Sequence, residues 1–302
     1  MMKHRFFIVG GDLRNVKLAN ILQKEGNKVC CFGLEQSIEI NENENIERVS
    51  NLKMGLDKAD IVVCPVPFSK DGKFLNTSYS NENILIEDLN KLNKSKILIG
   101  GAIQDTIKKD LDTNYMSVID VMKREELAIL NTIATAEGTI EVAIKNTEKI
   151  LQGSKVLILG FGRVAKIVAI KFSMLSCNVT CSARKISDLA WIKAYGYSAL
   201  NINDMLYDLK DFDIIINTVP QTIIKEKELK HMNPNVLLID LASYPGGIDG
   251  KTAESMGLKF VWALALPGKV APVSSAEFIK ETIYNVIEEC AIGDGSFWHK
   301  KI

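Results

Sequence analysis

The sequence predicts an α/β protein built from two Rossmann-like, doubly wound parallel-sheet domains with an interdomain cleft. Three observations lead there. Residues 155–181 read as strand, glycine turn, helix and strand. Residues 6–32 repeat that order. The remaining short apolar runs end in glycine or proline loops, as strands covered by helices on both faces do.

The clearest stretch is Lys155-Val156-Leu157-Ile158-Leu159-Gly160-Phe161-Gly162-Arg163-Val164-Ala165. Its continuous apolar run predicts a buried parallel strand, and Val164, Ile167, Val168, Phe172 and Leu175 then recur with helical period. Gly160 allows a tight turn, Gly162 lets backbone N–H groups approach a pyrophosphate, and Ala165 lets helix and strand lie close. Gly160, Phe161, Gly162, Arg163 and Val164 are therefore candidate dinucleotide ligands. The bland alternative is a glycine pair that only closes a βα turn.

The next strand ends in Ser182-Ala183-Arg184-Lys185, where an NAD site usually has a carboxylate for the ribose hydroxyls. A hydroxyl and two cations suit a 2′-phosphate, so Ser182, Arg184 and Lys185 point to NADP. Their alternative is an ordinary solvated loop. Further on, residues 213–220 and 236–243 read as strands, the first ending in Asn217-Thr218-Val219-Pro220 along the cofactor and the second carrying Asp240. Residues 260–264 give a last strand, followed by a stiff loop, residues 266–272, that carries Lys269.

The amino-terminal half opens with a strand at 6–9, Gly10-Gly11-Asp12-Leu13-Arg14, a helix to about residue 23 and a strand at 29–32. It lacks G-x-G-x-x-G, and Asp12 would repel a phosphate. It reads as a substrate domain in which Arg14 is either an anion ligand or the partner of Asp12. Residues 41–45 read as a solvated loop, and residues 61–67 and 97–101 as strands ending in proline and glycine. The expected domains are 1–130, with a carboxy-terminal helix over 274–302 returning to it, a connecting helix over 131–152, and an NADP-binding domain over 153–273. The carboxy-terminal helix is expected to open on a capping box at Ser274. It could pack within the chain or across a homo-oligomer. The connecting helix is expected to open at Thr135-Ala136-Glu137-Gly138, where capping explains the residues and free N–H groups could also hold a carboxylate.

Composition narrows the function. Lysine plus arginine equals aspartate plus glutamate, 37 each over 302 residues, which argues against nucleic acid as the main partner. The apolar run after the basic start spans only residues 6–9, so neither a signal peptide nor a membrane span is expected there. Six cysteines without a C-x-x-C pair and three scattered histidines suggest buried thiols, no metal site and a cytoplasmic protein.

Five blocks resemble the dipicolinate synthase A-subunit family: Gly10-Gly11-Asp12-x-Arg14; Glu125-x-x-Ala128-Ile129-x-Asn131 with Thr135-Ala136-Glu137-Gly138; Gly160-Phe161-Gly162-Arg163; Asp240-x-Ala242-Ser243-x-Pro245-Gly246-Gly247-x-Asp249; and residues 266–272. Ala134 departs from the family pattern, which has proline there. The resemblance implies NADP-dependent oxidation of dihydrodipicolinate, a lysine-pathway product, to dipicolinate. It further implies a sporulating mother cell and, as partner, a flavoprotein B subunit. A ring with two carboxylates needs anion ligands, for which Arg14, Thr135 and Lys269 are the candidates. Asp12, Glu137 and Asp240 are candidate bases that also have structural readings, and Lys269 ranks above them as a substrate ligand. Two alternatives stay open: an NADP-binding partner subunit with little activity alone, and a generic NADP-dependent 2-hydroxy or amino acid dehydrogenase.

Overall fold

Alternation along the first strand sets the architecture of the amino-terminal half. In the computed structural model, which describes residues 3–91, 96–112, 117–207 and 209–293, β1 (Arg5–Val9) turns Phe6 and Ile8 into one apolar cluster and Phe7 and Val9 into another. Both faces are thus covered, as a parallel strand requires. Two compact units result, one from residues up to Leu130 and from Ala271 onward, the other from Asn131–Val270.

In the first unit β1 is joined by β2 (Lys28–Phe32), β3 (Ile46–Arg48), β4 (Ile61–Val63), β5 (Ile97–Gly100) and β6 (Ser117–Asp120). All pair in parallel, in the order β3-β2-β1-β4-β5-β6. Helices α1 (Leu13–Lys24), α2 (Ile38–Glu42), α3 (Leu52–Lys58) and α4 (Asp105–Asp112) flank the sheet. The order reverses between β1 and β4, so the crevice of this unit lies beyond their carboxyl ends. Next comes α5 (Glu125–Asn146), which buries Leu127 in the first unit's core and Ala136 and Ala143 in the second's. By length and composition α5 could cross a membrane.

The second unit repeats the plan with β7 (Lys155–Leu159), α6 (Arg163–Met174), β8 (Asn178–Ala183), α7 (Ile186–Ala194), β9 (Ser198–Asn201), β10 (Ile214–Asn217), α8 (Glu226–Leu229), β11 (Leu237–Asp240), α9 (Gly250–Ser255), β12 (Lys259–Trp262) and α10 (Leu266–Val270). Its sheet is parallel, in the order β12-β11-β10-β7-β8-β9. Val156 and Ile158 meet Val168 and Phe172 of α6 on one face, and Leu157 and Leu159 meet Leu229 and Ala253 on the other.

The last helix, α11 (Pro272–Gly293), belongs to the first unit, where Ala276, Ile279, Ile283, Val286 and Ile287 bury against α1 and β1. Each such aliphatic side chain contributes about 1.5–3 kcal/mol, more than the exposed Lys280–Glu25 pair at 2.6 Å can add. The apolar stripe therefore holds this helix. Of the carboxy-terminal helix expected over 274–302, residues 294–302 lie outside the described residues.

Several boundaries differ from the sequence reading. The helix α5 begins at Glu125, not near Thr135, because Glu125 and Glu126 supply the acidic first turn that favours a helix start. Residues 41–45 are not all loop, since Ser37 caps the short α2 through Ile40 N–H. α11 starts two residues before Ser274, with Pro272 at its first position, where a missing N–H costs nothing. Lys269 lies in α10 rather than a loop.

Candidate dinucleotide-binding site

The turn between β7 and α6 is held open by geometry. Gly160 has φ +95°, in the left-handed region, and a Cβ there would come within 2.8 Å of Thr218 Oγ1 and 3.0 Å of Val219 Cγ2. Its N–H donates to Ser182 O at 3.0 Å, tying the turn to β8. Gly162 is the N-cap of α6 and offers no side chain to the first helical N–H groups, and nothing lies within 4 Å of where its Cβ would be. A helix start without a side-chain cap, with open space and a favourable dipole, fits a pyrophosphate.

Beside this turn lies a cavity of about 500 Å³, walled by Gly160, Phe161, Arg184, Lys185, Asn203 and Lys225 among others. The Phe161 ring packs on Tyr195 at 6.0 Å and under Lys166 at 5.5 Å, so this residue faces the cavity mainly with its backbone. Arg184 and Lys185 are exposed at the tip of β8. Ser182 is not with them: it is fully buried and its Oγ has no partner, because β8 runs on to Ala183 and places the strand tip later than expected. Asp188 and Glu228 also line the cavity, so its charge is mixed. Glu228 Oε2 accepts the Lys225 N–H at 3.0 Å, which occupies one of these carboxylates.

Past β10, a buried pair shapes the loops. Asn217 Nδ2 donates to Asp240 Oδ1 at 2.7 Å and to Val219 O at 3.0 Å, and Asn217 Oδ1 accepts the Val219 N–H at 3.1 Å. Asp240, 1% exposed, also accepts N–H groups from Ala242, Gly247 and Ile248 at 2.9, 2.7 and 3.0 Å. Its carboxylate holds the 242–248 loop and is neither a cofactor ligand nor a base, because four donors already surround it. Thr218 Oγ1 donates to Leu159 O at 2.8 Å, leaving Val219 and Pro220 as the residues of that loop with freer surface. Arg163 and Val164 form the first turn of α6, Val164 partly buried against the core.

The other candidates separate. Thr135 lies inside α5, its Oγ1 donating to Asn131 O at 2.8 Å, so it offers no free helix start to a carboxylate. Gly138 has a different use: a Cβ there would stand 3.0 Å from Leu266, so glycine lets α5 and α10 approach closely. Glu137 is exposed and pairs with Lys171 at 2.9 Å, a surface ion pair rather than a base. Asp12 caps α1, accepting the Arg14 N–H at 3.0 Å, and pairs with the Arg14 guanidinium at 2.7 Å. Lys269 is exposed. His4 is buried, which lowers its pKa despite Asp60, and His231 Nδ1 is 2.8 Å from Lys227 O. Asp188, Asn203 and Lys225 line the cavity and were missed from sequence, where they carry no local signal. Asn217 belongs to the strand end expected along the cofactor, and what the sequence did not show is its bond to Asp240.

The first unit's matching turn is covered by its own chain. The Gly11 N–H donates to Asn76 O and the Ser78 N–H to Gly11 O, at 2.8 and 2.9 Å.

Comparison with known proteins divides the chain similarly. Residues 5–122 match the family described as the N-terminal domain of the dipicolinate synthase A subunit, and residues 115–243 match the D-isomer specific 2-hydroxyacid dehydrogenase NAD binding domain. Over 297 residues the chain is 28% identical to the dipicolinate synthase A subunit of Bacillus subtilis (strain 168), covering 95% of this chain and 97% of that one. Two crystal structures are similar throughout. That of the dipicolinate synthase A subunit from Bacillus halodurans is 29% identical with TM-score 0.86, covering 95% of this chain and 98% of that one. The corresponding dipicolinate synthase structure from Bacillus subtilis is 27% identical with TM-score 0.86, covering 97% and 99%. A transhydrogenase from Sinorhizobium meliloti, 16% identical over 95% of this chain and 94% of that one, shares the fold with TM-score 0.68. The second unit is a nicotinamide dinucleotide-binding domain.

Proposed function

We propose that this chain, which belongs to the dipicolinate synthase A-subunit family, oxidises dihydrodipicolinate to dipicolinate with NADP, in the cytoplasm of a sporulating mother cell and together with a flavoprotein B subunit. The observation that carries the reading is the uncapped, open start of α6 beside a cavity bearing Arg184 and Lys185. NADP, when bound, would supply the hydride acceptor. The backbone at Gly160, Phe161 and Gly162, with the first turn at Arg163 and Val164, would cradle the pyrophosphate, and Arg184 and Lys185 would meet the 2′-phosphate. Lys225 adds a third cation to the same cavity, which outweighs Asp188 once Glu228 is engaged with the α8 start.

Val219 and Pro220, set by Asn217, would border the nicotinamide half, since a dinucleotide lies across the switch between β7 and β10. Lys269, just past β12, is the ligand we assign to a substrate carboxylate in this unit. Loss of a hydride and a proton makes the ring aromatic, so the residues need mainly to orient the substrate.

The test is absorbance at the dipicolinate ultraviolet bands when the purified chain receives freshly generated dihydrodipicolinate with NADP, with NAD, or with neither. Product formed only with NADP supports the reading. No acceleration in any arm overturns it in favour of a dinucleotide-binding partner subunit whose redox step belongs to the flavoprotein.

A further inference from the structure

At the carboxyl edge of the second unit stands an aromatic pair that the unit's own cores do not use. Tyr244 is 86% exposed and Trp262 39% exposed, and neither ring belongs to either apolar cluster of this unit. The two rings stack at 6.5 Å between centroids with 24° between their planes. Burial therefore does not explain why both residues are aromatic. The pair is nevertheless held in place. Trp262 Nε1 donates to Ala242 O at 2.9 Å, and a Cβ on Gly246 would stand 3.4 Å from the indole Cζ2. Asp240 fixes the same loop through the Ala242, Gly247 and Ile248 N–H groups. An exposed, fixed π-surface of this kind offers a flat ring a large contact area.

Strand register places this shelf relative to the glycine turn. Leu159, Asn217, Asp240 and Trp262 are successive partners across the sheet, and Ser182 pairs with Leu159 on its other side. Trp262 thus stands three strand spacings from the end of β7, about 14 Å, on the side away from Arg184 and Lys185. A dinucleotide with its pyrophosphate at the turn and its 2′-phosphate at Arg184 and Lys185 extends its nicotinamide toward β10, between the turn and the shelf. We infer that Tyr244, backed by Trp262, stacks on the ring of the substrate, within the second unit alone. The identity of that ring rests on the functional reading above. Two carboxylates draw electrons from a pyridine ring, and the faces of Tyr and Trp are electron-rich. Contact improves as the ring flattens into an aromatic plane, so the shelf favours the product-like end of the reaction over the dihydro ring.

The experiment is titration calorimetry of the NADP-loaded full chain with dipicolinate and, separately, with piperidine-2,6-dicarboxylate, which keeps both carboxylates on a saturated ring. Wild type is compared with Tyr244→Phe and Tyr244→Ala, which should melt at the same midpoint because the side chain is exposed. Wild type should bind dipicolinate at least about ten-fold more tightly than the saturated ring. Phenylalanine should keep that preference and alanine should abolish it, with NADP affinity within about two-fold throughout. Equal losses for both ligands in Tyr244→Ala, or no loss for either, overturn the shelf. Weakened NADP binding with dipicolinate affinity intact overturns it as a substrate site and gives the shelf to the nicotinamide ring. Failure of the wild type to bind either ligand overturns it too, whereas the dihydrodipicolinate reading stands or falls separately on the turnover assay above.

Discussion

The two glycine turns of this molecule stand at the same place in the same architecture and do opposite things. At β1–α1 the chain's own residues 76–78 hydrogen-bond to Gly11, and Asp12 caps the helix. At β7–α6 Gly162 caps nothing with a side chain and the space beyond it is open. Strand order and parallel pairing are shared, so the sheet does not decide which unit takes a dinucleotide. What covers the turn decides it. A capped and covered turn is spent on folding, and an uncapped one keeps its donors for a ligand.

Alanine at the two turns should break the symmetry most sharply. Gly11→Ala forces a left-handed backbone and a clash with Asn15, and should lower stability by about 4 kcal/mol, read as urea midpoint. Gly162→Ala has an ordinary φ of −81° and no neighbour, so stability should fall by about 1 kcal/mol or less. Titration calorimetry should nevertheless show NADP binding at least about ten-fold weaker, because the methyl stands where phosphate approaches. Equal destabilisation at the two sites would show that the second turn is as structural as the first.

A device common to both units gives the next largest effect. Asp240 organises its loop through four donors, and Asp120, at the end of β6, accepts N–H groups from Ala102, Ile103 and Met122 at 2.9, 3.0 and 2.9 Å. Replacing either with alanine should cost about 3 kcal/mol in thermal or urea unfolding, since buried donors lose their acceptor. Only Asp240→Ala should also weaken dinucleotide binding.

Charge at the cavity should separate the cofactors without touching the fold. Arg184→Ala with Lys185→Ala should weaken NADP by about ten- to hundred-fold, leave NAD within about two-fold, and leave the melting midpoint unchanged, the pair being exposed. Equal losses for both dinucleotides would assign these cations to the pyrophosphate instead.

The smallest effect concerns what ties α11 to α1. Burial would raise the Glu25 carboxyl, but hydrogen bonds from Lys280 and Tyr284 outweigh it and hold the group below its usual range. Burial and Glu25 together push Tyr284 up to about 12. Because the folded pKa of Glu25 is depressed, its contribution is present above the unfolded glutamate pKa and is lost as pH falls through the folded value. Glu25→Gln should therefore cost below about 1 kcal/mol at neutral pH and nothing in strong acid, measured as the difference in urea midpoints across that range.

Much of this was legible in the residues themselves. Continuous apolar runs such as Val156, Leu157 and Ile158 specify buried parallel strands, and Gly160 and Gly162 after such a run specify a turn at a helix start, because both signals are local. The short edge strands β3, β6 and β9 were not legible, since three or four half-polar residues carry no period of their own and become strands only by pairing with a neighbour. The opening of α5 was misplaced because Thr135-Ala136-Glu137-Gly138 has the composition of a cap. Its glycine instead serves an approach to Leu266, far away in sequence.

By itself, then, the sequence determined the sheet class, the repeated strand–glycine–helix unit and the turn suited to a pyrophosphate, all properties of neighbouring residues. Tertiary structure alone decided that Ser182 is buried, that Asp240 and Asn217 form one network, that residues 76–78 cover the first turn, and that Asn15 keeps an unpaired amide. Each of these depends on which distant segment arrives to supply or withhold a hydrogen-bond partner.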